Sequence, residues 1–207
     1  KPYAAIILYG AAKAQTINYT APDAPDAVEA VNLYTCPCFL AASRNDWIVP
    51  VNNTLDFIEA LKKNYIDYEL HIYGYSMHGF SIGKEVGATP PLFCSRVGDW
   101  VEESVSWIDD LISGRYISIR ESSEYNDKYS KTLSSKNSCK IIFENSQAKN
   151  LFKKKFLPQY LLCEATKKKV GSFVDGVSLK NVLSFLKVKD ETFKKIDEAL
   201  KVIKKES

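Results

Sequence analysis

The first half of the chain alternates short apolar runs with amphipathic stretches. Residues 1–9 predict a strand that is buried on both faces, because 4–8 are apolar without interruption. The short apolar run 38–42 and the strand-like run 68–73 predict two more strands. Between the last two runs, apolar residues recur at spacings of three and four over 51–65, which predicts a helix. A second amphipathic helix is predicted over 97–112. Strands that alternate with helices indicate an α/β fold with about three parallel strands and flanking helices.

The second half has a different pattern. Residues 115–137 are rich in Ser, Tyr, Lys and Asn and show no clear period, so they are predicted to form a linker. Four helical stretches follow. We therefore predict a partial α/β domain over 1–113, a linker over 114–137 and a small all-α module over 138–207. The predicted helices are 146–156, 161–174, one capped by Ser178 and one capped by Asp190.

Charge divides the chain in the same way. Residues 1–113 hold 7 Lys+Arg and 14 Asp+Glu, a net charge of −7, whereas residues 114–207 hold 21 and 11, a net charge of +10. This asymmetry argues for two units with different surfaces. The lysine runs 153–155 and 167–169 lack interleaved aromatic residues and any binding motif, so they indicate solvated helix faces and no nucleic-acid partner.

Other features of the composition are ordinary. Apolar residues make up 45% of the chain, and no apolar run approaches the roughly 20 residues of a membrane span. The five cysteines are irregularly spaced, and Cys36 and Cys38 are best read as a pair of small buried residues. The sequence therefore predicts no metal site, no cofactor and no membrane-spanning segment.

An acid and a histidine follow two neighbouring predicted strands. Asp46 comes shortly after the strand at 38–42, and His78 comes after the strand at 68–73. The carboxyl ends of parallel strands meet at one edge of a sheet, where open α/β sheets place their sites. An Asp that orients a His is the back half of a nucleophilic triad. The plainer alternatives are that Asp46 caps the following helix and that His78 is an exposed loop residue.

Other residues near this edge are weaker candidates. His71 alternates with apolar residues in a strand and is best read as structural, and Asp67 precedes a strand instead of following one. Ser76 lies in GYSMH, which matches four of the five positions of the G-x-S-x-G nucleophile elbow, but the glycines and prolines after it oppose the required helix. Trp47 could line a substrate pocket, although packing into the core is the commoner fate of such a residue.

Three segments together carry a family resemblance. SRNDWIVPV, ELHIYGYSMHGFS and WVEESVSWIDDLI resemble the C-terminal half of an α/β-hydrolase of the bacterial esterase/lipase group, which includes acetyl-xylan and feruloyl esterases. The resemblance covers about residues 1–112 and implies that Asp46 is the triad acid and His78 the base. The helical module is similar, more loosely, to tails appended to some bacterial esterases and glycosidases.

The resemblance also implies that part of the enzyme lies elsewhere. In this fold the serine precedes the Asp and the His in the chain. The nucleophile elbow and the oxyanion hole are therefore expected upstream of the strand at 1–9, together with any export signal. The implied function is a serine-type carboxylic-ester hydrolase acting on small acyl esters, such as acetyl or feruloyl groups on plant polysaccharide, and inactive as this chain alone. The alternative is a non-catalytic binding or scaffold protein whose helical module holds a protein partner.

Overall fold

The chain consists of two compact units. A computed structural model describes residues 2–17, 21–83 and 94–205, and the chain divides into Lys1–Ile117 and Ser118–Ser207. Each unit has its own hydrophobic core.

The first unit is built on a parallel sheet. Its strands are β1 (Ala5–Leu8), β2 (Cys38–Ser43) and β3 (Tyr68–Tyr73), in the spatial order β1-β2-β3. Ala5 lies opposite Cys38, and Cys38 lies opposite Tyr68. The predicted α/β fold with three parallel strands is confirmed. Because both pairs are parallel, the loops after β2 and β3 emerge at the same edge.

Helices connect and flank these strands. They are α1 (Ala14–Ile17), α2 (Ala27–Ala30), α3 (Asn52–Lys63) and α4 (Trp100–Ser113). Asp26 begins α2 by accepting hydrogen bonds from the Val28 and Glu29 backbone N–H groups. Gly114 ends α4 in the left-handed conformation that glycine adopts without steric cost.

Strand β2 is the centre of the first unit and is buried along its whole length. Its alternate side chains face opposite ways, as a strand requires. Cys38 and Leu40 pack with α3, whereas Phe39 and Ala41 pack with Trp107 of α4. A strand covered on both faces has no polar alternation, which explains why the apolar run at this position predicted it correctly.

The second unit is entirely helical in its described part. A short 3₁₀ turn (Ile119–Glu121) precedes the first helix, and another (Gly171–Gly176) lies between the fourth and fifth. The α-helices are α5 (Ser123–Tyr129), α6 (Cys139–Glu144), α7 (Ser146–Lys155), α8 (Leu157–Val170), α9 (Leu179–Phe185) and α10 (Asp190–Leu200).

The second unit contains a local repeat that sequence reasoning missed. Ser138 caps α6 and Ser178 caps α9, each accepting from the backbone N–H three residues on. The two caps also pair with each other: Cys139 N–H donates to the Val177 carbonyl, and Leu179 N–H donates to the Asn137 carbonyl. Each capped helix is followed by a longer one, so the unit contains two similar helix pairs. The backbone hydrogen bonds between the two caps join these pairs.

From Ser118 onward, the segment predicted as a linker falls in the second unit. Much of 114–137 is helical, and Ser122 caps α5 through the Tyr125 N–H. Leu133 is fully buried in the same core as Ile142, Phe152 and Ile196. The Asp127 carboxylate accepts from the Ser138 N–H and so ties this segment to the start of α6. The polar composition of 115–137 is therefore used for caps and turns.

Cysteine reactivity gives a direct test of these cores. At neutral pH we expect a maleimide to label Cys94 first and to leave Cys38, Cys139 and Cys163 unlabelled until the chain unfolds. Burial raises the pKa of Cys38 to about 12, and a hydrogen bond with Cys163 together with burial raises the pKa of Cys139. Only the thiolate reacts, so a raised pKa slows labelling. Mass spectrometry of peptides after timed labelling measures this order. Labelling of Cys139 as fast as Cys94 would contradict the described core.

Candidate active site

Asp46 is held in a fixed orientation at the carboxyl edge of the sheet. It lies three residues after β2, and its side chain is only 2% exposed. Oδ1 accepts hydrogen bonds from the backbone N–H groups of Ile48 and Val49, each at 2.9 Å. Asp46 does not cap α3, which begins after Val51 without a side-chain cap. The helix-capping alternative is therefore wrong, and Oδ2 is left for another partner.

That partner is His78. Its Nδ1 lies 2.7 Å from Asp46 Oδ2, across the gap between the loops that follow β2 and β3. An ionised carboxylate can only accept, so Nδ1 carries the proton and Nε2 becomes the atom that can take one. The His78 side chain is 26% exposed, so the ring remains within reach of a substrate. The structure thus brings together the two residues that the sequence singled out.

Asn45 fastens the two loops to each other. Its Oδ1 accepts from Ser43 Oγ at 2.9 Å and from the Ser76 backbone N–H at 3.0 Å. Since Ser76 lies two residues before His78, this bond fixes the histidine loop against the aspartate loop. The sequence indicated only that Asn45 neighbours Asp46.

Ser76 has no geometry for a nucleophile. The residue is buried, and its Oγ donates to the carbonyl of the adjacent Met77 at 3.3 Å. Turns, and no helix, follow it through residue 83. A nucleophile elbow needs a strand that runs directly into a helix. The partial match of GYSMH to the elbow motif is therefore coincidental.

The Tyr9 ring contacts the His78 ring and is itself packed against Phe80, and sequence reasoning missed both aromatic residues. Tyr9 contacts His78 edge to face with ring centroids 5.0 Å apart, and it meets Phe80 in the same way at 4.9 Å. Tyr9 has a φ of 39°, which is uncommon for a residue other than glycine. Such backbone conformations cluster at functional sites. The only sequence signal was the position of Tyr9 directly after the first apolar strand.

Trp47 is on the surface, with 78% of the residue exposed. The expectation that it packs into the core is wrong, because the hydrogen bonds of Asp46 turn the loop outward at this point. Other large apolar side chains in the loops after β2 and β3 are also exposed. We call this set the apolar collar: Trp47, Ile48, Tyr75, Met77 and Ile82.

His71 has different surroundings. Its Nε2 lies 3.0 Å from Glu69 Oε1, and its Nδ1 lies 3.1 Å from Glu103 Oε2 on α4. The ring also stacks on Phe39. Both ring nitrogens therefore face carboxylates, in keeping with its interpretation as a structural residue. Asp67 precedes β3 and so lies at the opposite edge from Asp46.

Metal-binding clusters and membrane-spanning helices are two further features that bear on the kind of site. Among the described residues, no cluster of three or more His, Cys, Asp or Glu side chains is arranged to hold a metal ion. Within the same residues, no helix combines the length and the apolarity that crossing a bilayer requires.

Part of the chain matches a known protein family. Residues 3–90 match the Dienelactone hydrolase family. The matched segment contains both Asp46 and His78. The resemblance of this segment to an α/β-hydrolase is therefore confirmed.

Several solved structures are similar to this chain. A carboxylesterase from Lactobacillus plantarum has 16% identity and a TM-score of 0.47, and the match covers 57% of this chain and 47% of that one. A sugar hydrolase from Lactococcus lactis has 22% identity, a TM-score of 0.48, and coverage of 56% and 51%. An acetyl ester-xyloside bifunctional hydrolase from Caldicellulosiruptor lactoaceticus has 23% identity, a TM-score of 0.45, and coverage of 54% and 43%.

These similarities cover only part of each solved structure. The matched region spans about half the length of each solved structure. With TM-scores below 0.5, they give no support for a particular substrate. No curated protein matches the chain.

Proposed function

We propose that this chain supplies the acid and the base of a serine-type carboxylic-ester hydrolase. The observation that carries the proposal is the 2.7 Å contact between His78 Nδ1 and the buried Asp46 carboxylate. This contact joins two loops at the carboxyl edge of a parallel sheet, the usual place for a site in such folds.

Each residue has one role in the proposed reaction. His78 Nε2 takes the proton of a serine hydroxyl as that oxygen attacks the ester carbonyl, and then returns it to the leaving alcohol. A water molecule, activated in the same way, releases the acyl group from the serine. Asp46 holds the Nδ1 tautomer and stabilises the imidazolium that forms. Tyr9 and Asn45 keep the ring and the loops in place.

The serine itself is proposed to lie in a segment outside these 207 residues. The chain contains no complete G-x-S-x-G motif, and Ser76 has no nucleophile geometry. In the described sheet, β1 pairs with β2 along one side, so its other side is free to take a further strand. Ile6 of β1 is partly exposed, as expected for a position that another element would cover.

The proposed substrates are small acyl esters. The apolar collar lies beside the acid and the base and offers Trp47 as a wall for an acyl or aryl group. Acetyl and feruloyl groups on plant polysaccharide fit this description.

The first prediction from this proposal concerns the chain by itself. We expect the isolated 207 residues to show no turnover of an aryl acetate above a buffer blank, because the nucleophile is absent. The assay compares the wild-type chain with Ser76→Ala, and both should equal the blank. Robust turnover that Ser76→Ala abolishes would show that the nucleophile lies within the chain and would overturn this assignment.

A further inference from the structure

The second unit has an apolar groove on its surface that the proposed esterase chemistry does not use. The groove has a volume of about 360 Å³ and lies where the end of α8, the 3₁₀ turn Gly171–Gly176 and α9 meet. Its lining is mostly apolar. Two of the eight lining residues are polar, Thr166 and Asn181, and the other six are Val170, Phe173, Val174, Val177, Val182 and Phe185.

Two phenylalanines at this groove are conspicuously uncovered. Phe173 is 77% exposed and Phe185 is 85% exposed, whereas Val174 and Val182 are buried and form the floor. Exposing two aromatic rings beside an apolar depression is unfavourable in water by roughly 25 cal/mol for each Å² of apolar surface. A patch of this kind is typical of an interaction site.

The chain segment that lines the groove carries mostly positive charge. The segment 166–187 contains five lysines and a single aspartate, Asp175. Asp175 is already paired with Lys167 at 2.7 Å. In the described part of the chain the remaining lysines are exposed and form no ion pair; these are Lys168, Lys169, Lys180 and Lys187. A complementary partner would therefore carry acidic side chains beside its apolar ones.

From these observations we infer that the groove binds an acidic amphipathic helix of a partner protein. A helix presents apolar side chains at i, i+3, i+4 and i+7 as a narrow ridge, which fits a groove floored by valines. Its acidic residues would lie on either side of that ridge and meet the lysines. A bilayer surface is flat on this scale and would leave the depression unfilled, so the shape favours a helix over a membrane. This inference is independent of the proposed esterase function.

The test uses the full chain and a synthetic probe. The probe is a fluorescent peptide of about 18 residues, or about five helical turns, with Leu at the i, i+3, i+4, i+7 positions and Glu elsewhere. A second peptide has the same composition with the leucines scrambled. Fluorescence anisotropy should show that the ordered peptide binds at least about tenfold more tightly, and that its affinity falls as salt is raised.

Variants locate the binding on the protein. We expect Phe173→Ser with Phe185→Ser to weaken binding of the ordered peptide by at least about tenfold. Val202→Ser is the matched control, because Val202 is also exposed but does not line the groove, and it should bind as the wild type does. All substituted positions are on the surface, so circular dichroism should show an unchanged fold.

Three results would overturn the inference. The first is equal binding of the ordered and scrambled peptides, or binding that the phenylalanine substitutions do not change. The second is capture of the protein by anionic phospholipid vesicles, lost in the double variant, without binding of the peptide. The third is self-association of the chain in sedimentation, again lost in the double variant, which would make a second copy the occupant.

Discussion

Once this chain is joined to a segment that supplies the nucleophile, His78→Ala is expected to lower kcat for ester hydrolysis by about 10⁴-fold or more. Removing the base of a triad leaves only binding and oxyanion stabilisation. Asp46→Asn should cost about 10⁴-fold, because the amide no longer fixes the His78 tautomer. The experiment fuses residues 2–207 to the amino-terminal part of a solved relative such as the Lactococcus lactis sugar hydrolase. Steady-state kinetics with an aryl acetate gives the two values.

The chain offers a matched control for this measurement. His71 is the other of the two histidines in the sequence. It lies in β3, between the carboxylate of Glu69 and that of Glu103 on α4. His71→Ala should leave kcat within about tenfold of the fused wild type, even where it lowers stability. If His78→Ala and His71→Ala have similar effects on kcat, His78 is not the base, whatever its geometry.

A second large effect is expected in the core of the helical unit. Phe152→Ala should lower the free energy of unfolding of the second unit by about 3–5 kcal/mol, because it leaves a cavity among well-packed side chains. Phe152 is fully buried and contacts the rings of Phe143 and Phe156. Small domains are stable by only about 5–15 kcal/mol, so the loss is a large fraction of the total.

The aromatic composition separates the two units in this experiment. All three tryptophans, Trp47, Trp100 and Trp107, are in the first unit. Tryptophan fluorescence therefore follows the first unit, while far-ultraviolet circular dichroism also follows the helices of the second. Urea should unfold the Phe152→Ala helices earlier and leave the fluorescence transition unchanged. Phe185→Ala is the control, since that ring is exposed. A parallel shift of both transitions would mean that the two cores unfold together.

Periodicity identified most elements but not always their buried faces. The helix predicted from 51–65 is present as α3, yet Leu55 is 40% exposed, whereas Phe57 is buried. In α4 the apolar stripe predicted a buried face, but Val101, Val105 and Ile112 are exposed. Which residues of an amphipathic helix are covered depends on the element packed against it, and a single-helix pattern does not contain that information.

Hydrogen bonds at the helix ends of the second unit depend on local geometry that the sequence pattern does not fully reveal. Ser178 caps α9 as predicted, but Asp190 is the first residue of α10 and makes no cap hydrogen bond. Helix α7 ends before Pro158, and Pro158 lies in the first turn of α8, where its missing N–H has no cost. Short capped helices such as α5 carry little periodicity, so the sequence pattern of 115–137 gave no helical signal.

The sequence by itself determined the α/β class, the three strands, and Asp46 and His78 as the residues of interest. It could do so because buried parallel strands are continuous apolar runs and because triad residues follow strand ends. Tertiary structure decided what surrounds them: the support of the His78 ring by Tyr9, the link of Asn45 to the Ser76 loop, and the exposure of Trp47. These contacts join residues about 30 to 70 positions apart in the chain. Only folding brings such residues within a few ångströms, so no local pattern records them.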